Sequence, residues 1–185
     1  MISSVCVYCG SAVGYRDEYQ QAARAFGRAL VHAGMKLVYG GGRHGLMGEI
    51  ADAVLQANGY VIGVIPKLLL EKEINYRNLT ELHVVENMHE RKKMMADLSD
   101  AFVALPGGTG TFEELLEIYT WAQLGYHEKP LGLLNVSGYH DPLLALLHHA
   151  ANEGFMRYDY ISLLQVRSDA QELLDRLQRY VQSDR

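Results

Sequence analysis

The chain has 185 residues, 49% of them hydrophobic and 21% charged, with a formal net charge of −5 and a pI near 5.9. This composition is typical of one globular domain over residues 1–185, and the acidic balance argues against a nucleic-acid partner. No apolar run approaches the ~20 residues of a membrane helix, and the N-terminus lacks the basic segment of a secretory signal. We therefore expect a cytoplasmic protein without a membrane partner.

Short apolar runs rich in β-branched residues predict seven strands, at 4–8, 35–40, 60–65, 81–86, 101–105, 130–135 and 161–166. Segments with a helical period predict helices at 17–34, 45–59, 88–99, 111–125, 141–154 and 169–182. Strands that are apolar on both faces and alternate with helices indicate an α/β protein. We expect a single doubly wound, Rossmann-like domain, with a mostly parallel sheet of about seven strands and helices on both faces. Ligands of such sheets bind beyond the carboxyl ends of the strands.

The first predicted strand contains both cysteines of the chain, in a C-x-x-C spacing. Cys6 lies inside the strand and Cys9 at its end, whereas a redox motif of this spacing begins a helix after a strand. Buried structural thiols are therefore favoured, with a redox protein as the alternative. Two cysteines and no zinc-type spacing among eight histidines also predict that no metal is bound.

The second predicted strand leads into YGGGRHGLMG at residues 39–48, which matches G-x-G-x-x-G. As a dinucleotide fingerprint the match is weak, because it follows the second strand and the next strand ends without an acidic residue. Its glycines, Gly41 and Gly42 among them, still let the backbone approach a ligand closely at a helix N-terminus.

The segment at residues 88–99 contains HERKKMM, a basic cluster. If this helix runs antiparallel to the fifth strand, its N-terminal end lies at the carboxyl edge of the sheet. Arg91 and Lys92 would then lie beside the loop that follows the fifth strand. An arginine next to a carboxylate and a phosphate-binding loop would suit a sugar phosphate.

That following loop reads LPGGTGTFEE and is the strongest functional signal. Its small and hydroxylated residues let several backbone N–H groups converge on one phosphate; they are Gly107, Gly108, Thr109, Gly110 and Thr111. Thr111 is also a candidate helix cap, and the lack of a lysine after the last glycine excludes a Walker A loop. Acidic residues just inside the helix, Glu113, Glu114 and Glu117, would however repel a phosphate.

Taken together, these blocks resemble the LOG family of cytokinin riboside 5′-monophosphate phosphoribohydrolases, long mislabelled as lysine decarboxylases. The family motif PGGxGTxxE is complete from Pro106 to Glu114. The segments CVYCGS, VYGGGRHGLMG, VIP, MHERK, TWAQLGYHEKPLGLLN and NEGF match the family's other blocks in order. The resemblance covers nearly the whole chain.

The resemblance implies roles for individual residues. The family's catalytic pair falls on Arg91 and Glu114. Its nucleotide-binding groups fall on Glu73, Lys92, the loop from Gly108 to Glu114, and Thr120. Apart from the resemblance, Met88 could shape the pocket for the base. The family splits a nucleoside 5′-monophosphate into free base and ribose 5-phosphate without a metal or redox cofactor. It is typically a homodimer with its site near the interface.

The chemistry of this reaction agrees with the residues. Cleavage of an N-glycosidic bond develops positive charge on the ribose, as in glycoside hydrolysis. A carboxylate near C1′, which we assign to Glu114, would stabilise that charge and orient water. Arg91 would either position the ribose and phosphate or help the base to depart. The resemblance implies that the substrate is AMP, a cytokinin riboside 5′-monophosphate, or both.

Two further alternatives come from the same resemblance. One is a non-catalytic nucleotide- or cofactor-binding protein of the same fold, as in the related molybdenum-cofactor carrier proteins. The other is amino-acid decarboxylation, which the old family label implies. That chemistry normally needs pyridoxal phosphate on a lysine, and no lysine here lies in an evident cofactor context.

Overall fold

Strands and helices alternate along the computed structural model, which describes residues 1–70 and 79–183. The strands are β1 (Ser4–Tyr8), β2 (Lys36–Tyr39), β3 (Val61–Pro66), β4 (Glu81–Val85), β5 (Ala101–Ala104), β6 (Leu131–Leu134) and β7 (Leu164–Arg167). The α-helices are α1 (Asp17–His32), α2 (Gly45–Gln56), α3 (Lys67–Leu70), α4 (Met88–Asp97), α5 (Thr109–Gln123), α6 (Asp141–Asn152) and α7 (Ala170–Ser183). Two 3₁₀ turns cover Val136–Gly138 and Tyr158–Leu163.

All seven strands pair in parallel in one sheet of order β4-β3-β2-β1-β5-β6-β7. The predicted α/β fold class is thereby confirmed. The chain builds the sheet outward in one direction from β1 to β4 and then resumes on the other side of β1 with β5. The switch point, where ligands bind in sheets of this kind, therefore lies between the carboxyl ends of β1 and β5.

Helices cover both faces of the sheet. On one face α1, α2 and α7 contribute Phe26, Ile50 and Leu173 to a buried apolar cluster. On the other face α4 and α5 contribute Met95 and Leu115 to a second cluster, and α6 packs there as well. Every residue of β1 and β3 is buried, as expected for parallel strands with helices on both sides.

One strand starts later than its sequence predicts. The apolar run at 161–166 suggested a strand from residue 161, but β7 begins at Leu164 because Tyr158–Leu163 forms a 3₁₀ turn. The hydroxyl of Ser162 donates to the carbonyl of Asp159 over 2.6 Å. This local side-chain bond favours the turn over an extended backbone.

The two cysteines are free and buried, which supports structural thiols over a redox pair. Cys6 packs into the cluster under α4 and α5, and Cys9 into the cluster under α1 and α2, so they face opposite sides of the sheet. Burial raises the pKa of both thiols far above the ordinary value. Neither is therefore a reactive thiolate.

Within residues 1–70 and 79–183, no helix has the length and apolar character needed to cross a membrane.

A fully buried histidine precedes α6 at the carboxyl side of the sheet. His140 is 0% exposed, and its backbone N–H donates to the side-chain oxygen of Asn135 over 2.7 Å. Removal from solvent lowers the pKa of its imidazole from 6.5 to about 4, against the opposing influence of the Ala104 carbonyl and of Asp141. The ring is therefore neutral in the folded protein at neutral pH.

This depressed pKa predicts a pH-dependent stability. Between pH 6.5 and pH 4 the unfolded chain binds a proton at His140 that the folded chain does not. The free energy of unfolding should therefore fall as the pH drops through this window, by about 3 kcal/mol in all. Urea unfolding across this range should show a weaker fall for His140→Phe than for wild type. The exposed-histidine control His149→Phe should retain the wild-type slope, and an equal slope in His140→Phe would contradict the assignment.

Candidate active site

The loops at the carboxyl ends of β1 and β5 are bonded to each other at the switch point. The N–H of Gly10 donates to the carbonyl of Pro106 over 3.0 Å. The Gly10 carbonyl in turn accepts from the N–H of Leu46, in the first turn of α2, over 2.9 Å. The loops after β1 and β5 and the start of α2 are therefore held in one arrangement above the sheet.

Helix α5 begins directly after the glycine loop. Its cap residue is Gly108, and its first helical bond runs from the N–H of Phe112 to the Gly108 carbonyl over 3.1 Å. The N–H groups of residues 109–111 precede that bond and point out of the helix end, where the helix dipole favours an anion. The expectation that Thr111 caps the helix is wrong, because Thr111 is the third helical residue and the cap position carries no side-chain bond.

The glycines of this loop serve different purposes. A Cβ on Gly107 would lie 2.0 Å from Oγ1 of Thr111 and 2.8 Å from the backbone nitrogen of Gly10, so only glycine fits there. A Cβ on Gly108 or Gly110 would meet open space. Glycine at these two positions is thus not required by packing within the described chain, and it leaves the surface above the α5 N-terminus uncovered.

The start of α4 is fixed by a network of caps. The side-chain oxygen of Asn87 accepts from the N–H of Glu90 over 3.0 Å. The carboxylate of Glu90 accepts from the Asn87 amide over 3.0 Å and from the N–H of Glu86 over 3.1 Å. Such caps stabilise a helix N-terminus by about 1 kcal/mol each. They set the first turn of α4, from which Arg91 projects.

Arg91 is buried and held from three directions. Its Nε donates to the Val64 carbonyl on β3 over 3.1 Å, and its Nη1 donates to Oε1 of Glu114 over 2.9 Å. Its Nη2 lies against the backbone of Gly40, where a Cβ would be only 1.8 Å away. The structure thus brings together the two residues that the family resemblance pairs. Gly40 lies in the glycine loop at residues 39–48, but its contact with Arg91 is visible only in the folded chain.

Glu114 is an acid that is almost completely enclosed by the protein. Its side chain is 11% exposed and that of Arg91 is 10% exposed. Burial raises the pKa of the Glu114 carboxyl above 4.5, and the adjacent Arg91 guanidinium opposes that rise by favouring the charged form. The guanidinium therefore favours the charged carboxylate at a position where burial alone would favour the protonated acid.

Lys92 makes a second link between α4 and α5. Its Nζ bonds Oε1 of Glu113 over 2.6 Å and Oε1 of Glu117 over 3.0 Å. Glu113 and Glu117, two of the acids just inside α5, therefore both hold Lys92. The pairs raise the pKa of Lys92, chiefly through the Glu113 hydrogen bond. Lys92 is therefore a cation that already has two acidic partners.

The remaining predicted site residues occupy different positions. Met88 lies next to the pair, with its sulfur 4.0 Å from Nη1 of Arg91. Gly41 and Gly42 are buried, and Gly41 has a φ of +75°, which favours glycine. Thr120 is exposed on α5, and its hydroxyl donates to the Leu116 carbonyl of its own helix over 2.7 Å. Glu73 lies outside the described residues.

Two cavities lie near this region, at opposite ends of strand β5. One, of about 280 Å³, lies at the switch point and is lined by residues 10–14 and 106–108 together with Tyr19, Leu46 and Tyr139. A larger one, of about 490 Å³, lies between α4 and α5 and is lined by Phe102, Trp121 and His127 among others. Since Phe102 is near the start of β5, the larger cavity is at the amino-terminal side of the strand. It is therefore not at the edge where this fold binds its ligands.

The other chemistry-bearing groups of the described chain form no metal centre. Within residues 1–70 and 79–183, no three histidine, cysteine, aspartate or glutamate side chains are placed to hold a metal ion. Both neighbouring lysines of α4 are in ion pairs, Lys92 as above and Lys93 with Asp97 over 2.7 Å. The arrangement at the switch point is instead an arginine, a carboxylate and an open helix N-terminus.

Comparison with known proteins gives consistent matches. Residues 47–177 match the family model described as "Possible lysine decarboxylase". The cytokinin riboside 5′-monophosphate phosphoribohydrolase LOG of Oryza sativa subsp. japonica is 51% identical over 177 residues, covering 96% of this chain and 73% of that protein. The enzyme of the same name, LOG1, of Arabidopsis thaliana is 49% identical over 177 residues, covering 96% of this chain and 83% of that protein.

Solved structures of other proteins share the fold of this chain. The molybdenum cofactor carrier protein of Chlamydomonas reinhardtii superposes with a TM-score of 0.73 at 19% identity, over 98% of this chain and 99% of that chain. Fold and site define a Rossmann-like α/β protein with an arginine–glutamate pair beside a glycine loop at its switch point. The sequence matches are specific enough to say more: the chain belongs to the LOG family of cytokinin riboside 5′-monophosphate phosphoribohydrolases.

The contact between Gly40 and Arg91 predicts a selective variant. Gly40→Ala should push the guanidinium, a flexible side-chain end, away from Glu114 while far-UV circular dichroism remains that of wild type. Without its cation, the Glu114 carboxyl should titrate at a higher pH than in wild type, as followed by ¹³C NMR of the glutamate carboxyls. Gly110→Ala, which adds a methyl group in open space, is the control. A wild-type Glu114 titration in Gly40→Ala would show that the close approach is unimportant.

Proposed function

We propose that the protein hydrolyses the N-glycosidic bond of a nucleoside 5′-monophosphate, AMP or a cytokinin riboside 5′-monophosphate, to free base and ribose 5-phosphate. The observation that carries this proposal is the buried contact between Arg91 and Glu114 beside the open N-terminus of α5. The names of the relatives at about half identity support the same reaction.

Glu114 is the residue to which we assign the chemical step. As the C1′–N bond breaks, its electron pair leaves with the base and the ribose becomes cationic. A carboxylate near C1′ stabilises that charge and orients the water that attacks C1′. The water loses one proton, and the departing base gains one, so the products are neutral base and ribose 5-phosphate.

Arg91 keeps this carboxylate available. Burial alone favours protonated Glu114, and the guanidinium offsets part of that preference. Its contacts with Val64 and Gly40 also fix the position of the carboxylate partner. We assign Arg91 to the catalytic pair for this reason, with contact to the ribose or the departing base as its second task.

The 5′-phosphate would bind at the start of α5. The N–H groups of residues 109–111 lack intrahelical acceptors by geometry, and the glycines at 108 and 110 leave the surface open. The resemblance adds Glu73, Lys92 and Thr120 as substrate contacts. We further propose Met88 as a residue that shapes the pocket for the base, and Gly41 and Gly42 as positions where the backbone approaches the substrate. Hydrolysis involves no net oxidation or reduction, and we propose that the reaction needs no redox cofactor.

We further propose a homodimer with the site near the interface. Thr120 supports this arrangement, because it lies six residues beyond Glu114, about 9 Å along the helix axis. It faces outward in one row with Leu116 and Leu124, both exposed. If Thr120 contacts the substrate, as the resemblance implies, the site extends to this exposed face, where a second copy would pack. We also propose a cytoplasmic location, which the two free thiols favour.

The proposal predicts a loss of turnover when the charge of Glu114 is removed. Glu114→Gln should lower kcat on AMP by on the order of 10²–10⁴-fold, and Arg91→Ala should cause a comparable loss. In wild type, kcat should fall as the pH decreases through the raised pKa of Glu114, with a midpoint above 4.5. Release of base and of ribose 5-phosphate is measured by chromatography over a panel of nucleoside monophosphates.

The exposed-acid control for this experiment is Glu153→Gln, at the end of α6, which should turn over AMP like wild type. Wild-type rates in Glu114→Gln would remove Glu114 from the chemical step, and retained turnover in Arg91→Ala would make Arg91 a binding residue. Binding of AMP by wild type without any turnover on the panel would favour the carrier-protein alternative.

The dimer proposal predicts an effect at the exposed end of α5. Wild type should sediment at twice the chain mass of 20.7 kDa. Leu124→Asp should sediment as a monomer, because Leu124 is 66% exposed in the single chain and a charge there would be buried in the interface. Leu146→Asp on α6, at a position 61% exposed, is the matched control and should remain a dimer. A monomeric wild type would overturn the proposal.

A further inference from the structure

A tyrosine that no motif singles out is bonded to the glycine loop. Tyr139 follows the 3₁₀ turn Val136–Gly138, and its hydroxyl donates to the carbonyl of Gly107. It lines the 280 Å³ cavity at the switch point. This hydrogen bond is a side-chain contact from the loop after β6 to the loop after β5.

The backbone leading to Tyr139 is held in an uncommon conformation. Ser137 has a φ of 49° and Gly138 a φ of 72°, so two successive residues are left-handed. For a residue with a side chain, such a conformation costs about 1–3 kcal/mol and persists only when its surroundings determine it. The Asn135 amide supplies such surroundings, bonding Asp141 over 2.7 Å and accepting from the N–H of His140 over 2.7 Å.

The ring of Tyr139 is also fixed in direction. It packs edge-on against Tyr19 of α1, with ring centroids 5.6 Å apart, and edge-on against His140 at 5.2 Å. Edge-to-face contacts of this kind favour one ring orientation. The hydroxyl is therefore presented to the loop by a preformed support, on the side of the sheet that α1 and α2 cover.

The consequence for the loop follows from the geometry of a peptide bond. In a trans peptide the carbonyl oxygen of one residue and the N–H of the next point in opposite directions. Anchoring the Gly107 carbonyl toward Tyr139 on the α1 side directs the Gly108 N–H away from it. That direction is toward the side of α4 and α5, where Arg91 and Glu114 lie.

We propose that Tyr139 is a positioning residue for the 5′-phosphate subsite: by holding the Gly107 carbonyl, it aims the N–H of Gly108, the cap residue of α5, at the phosphate. This inference rests on the proposed function, since it assumes that the loop holds a phosphate. Tyr139 acts through the Gly107 carbonyl and has no contact with the reacting atoms of the substrate.

The test is the variant Tyr139→Phe, which keeps the ring and removes the hydroxyl. Loss of one hydrogen bond of this type should weaken ribose 5-phosphate binding by about 3–10-fold, measured as Kd by calorimetry. The kcat/KM for AMP should fall by a similar factor. Inhibition by free adenine, which has no phosphate, should remain as in wild type, whereas a general loosening of the site would weaken both ligands.

A matched control is present on α5. The hydroxyl of Tyr119 donates to the Tyr160 carbonyl over 2.9 Å, the same kind of bond away from the loop. Tyr119→Phe should bind ribose 5-phosphate with the wild-type Kd.

The assignment of Tyr139 would be overturned by an unchanged Kd in Tyr139→Phe, by equal losses for ribose 5-phosphate and adenine, or by an equal loss in Tyr119→Phe. Failure of wild type to hydrolyse any nucleoside monophosphate would overturn the proposed function instead. Binding of ribose 5-phosphate needs no turnover, so the two failures are distinguishable.

Discussion

The arrangement of the loops and helix starts at the carboxyl edge of this sheet depends on one buried arginine–glutamate contact. Taking two charges out of water costs several kcal/mol per ion, and the contact between Arg91 and Glu114 repays this only if the remaining donors also find partners. The Val64 carbonyl takes one donor, and the bare backbone of Gly40 gives the guanidinium room. Removing either partner leaves a buried charge, which costs roughly 3–5 kcal/mol.

Three chain segments must therefore be in register before the pair can form. The carbonyl comes from β3, the arginine from the capped first turn of α4, and the acid from the second turn of α5. A parallel sheet brings such segments together, because each strand delivers its following loop to the same edge. The reversal of strand order between β1 and β5 then opens the space in which the loops meet. The sheet topology thus brings α4 and α5 to the same edge, and the starts of these helices fix where Arg91 and Glu114 lie.

Much of this architecture could be predicted from the sequence. The periodic patterns placed the seven strands and six of the helices in the right order, with ends within a few residues, because apolar runs and helix-ending glycines are local signals. The short helix α3 was not predicted. The start of the predicted strand at 161–166 was wrong, since the hydroxyl of Ser162 forms a local hydrogen bond that favours a turn there. Glu73 stays a prediction that rests on the resemblance alone.

The candidate site was less predictable where its contacts join residues far apart in the chain. The pairing of Arg91 with Glu114 followed from family resemblance and is present as a contact, whereas periodicity alone could only place a basic helix near the loop. No pattern indicates that Gly40 is the surface against which Arg91 lies, or that Lys92 holds Glu113 and Glu117. Such contacts depend on side-chain directions that only the packed fold defines.

The acidic residues near the start of α5 are compatible with an anion at the N-terminus of this helix, because their charges are paired in the folded chain. Glu113 and Glu117 share the positive charge of Lys92, and Glu114 shares that of Arg91, so each acid near the loop has a cation beside it. Their repulsion of a phosphate is accordingly weakened, while the N–H groups at the helix end remain directed outward. The acids of the two ion pairs differ in burial: the side chain of Glu113 is half-exposed, and that of Glu114 is nearly enclosed. Of these acids, Glu114 combines enclosure with a fixed position at the switch point, which is what a group acting on a cationic ribose requires.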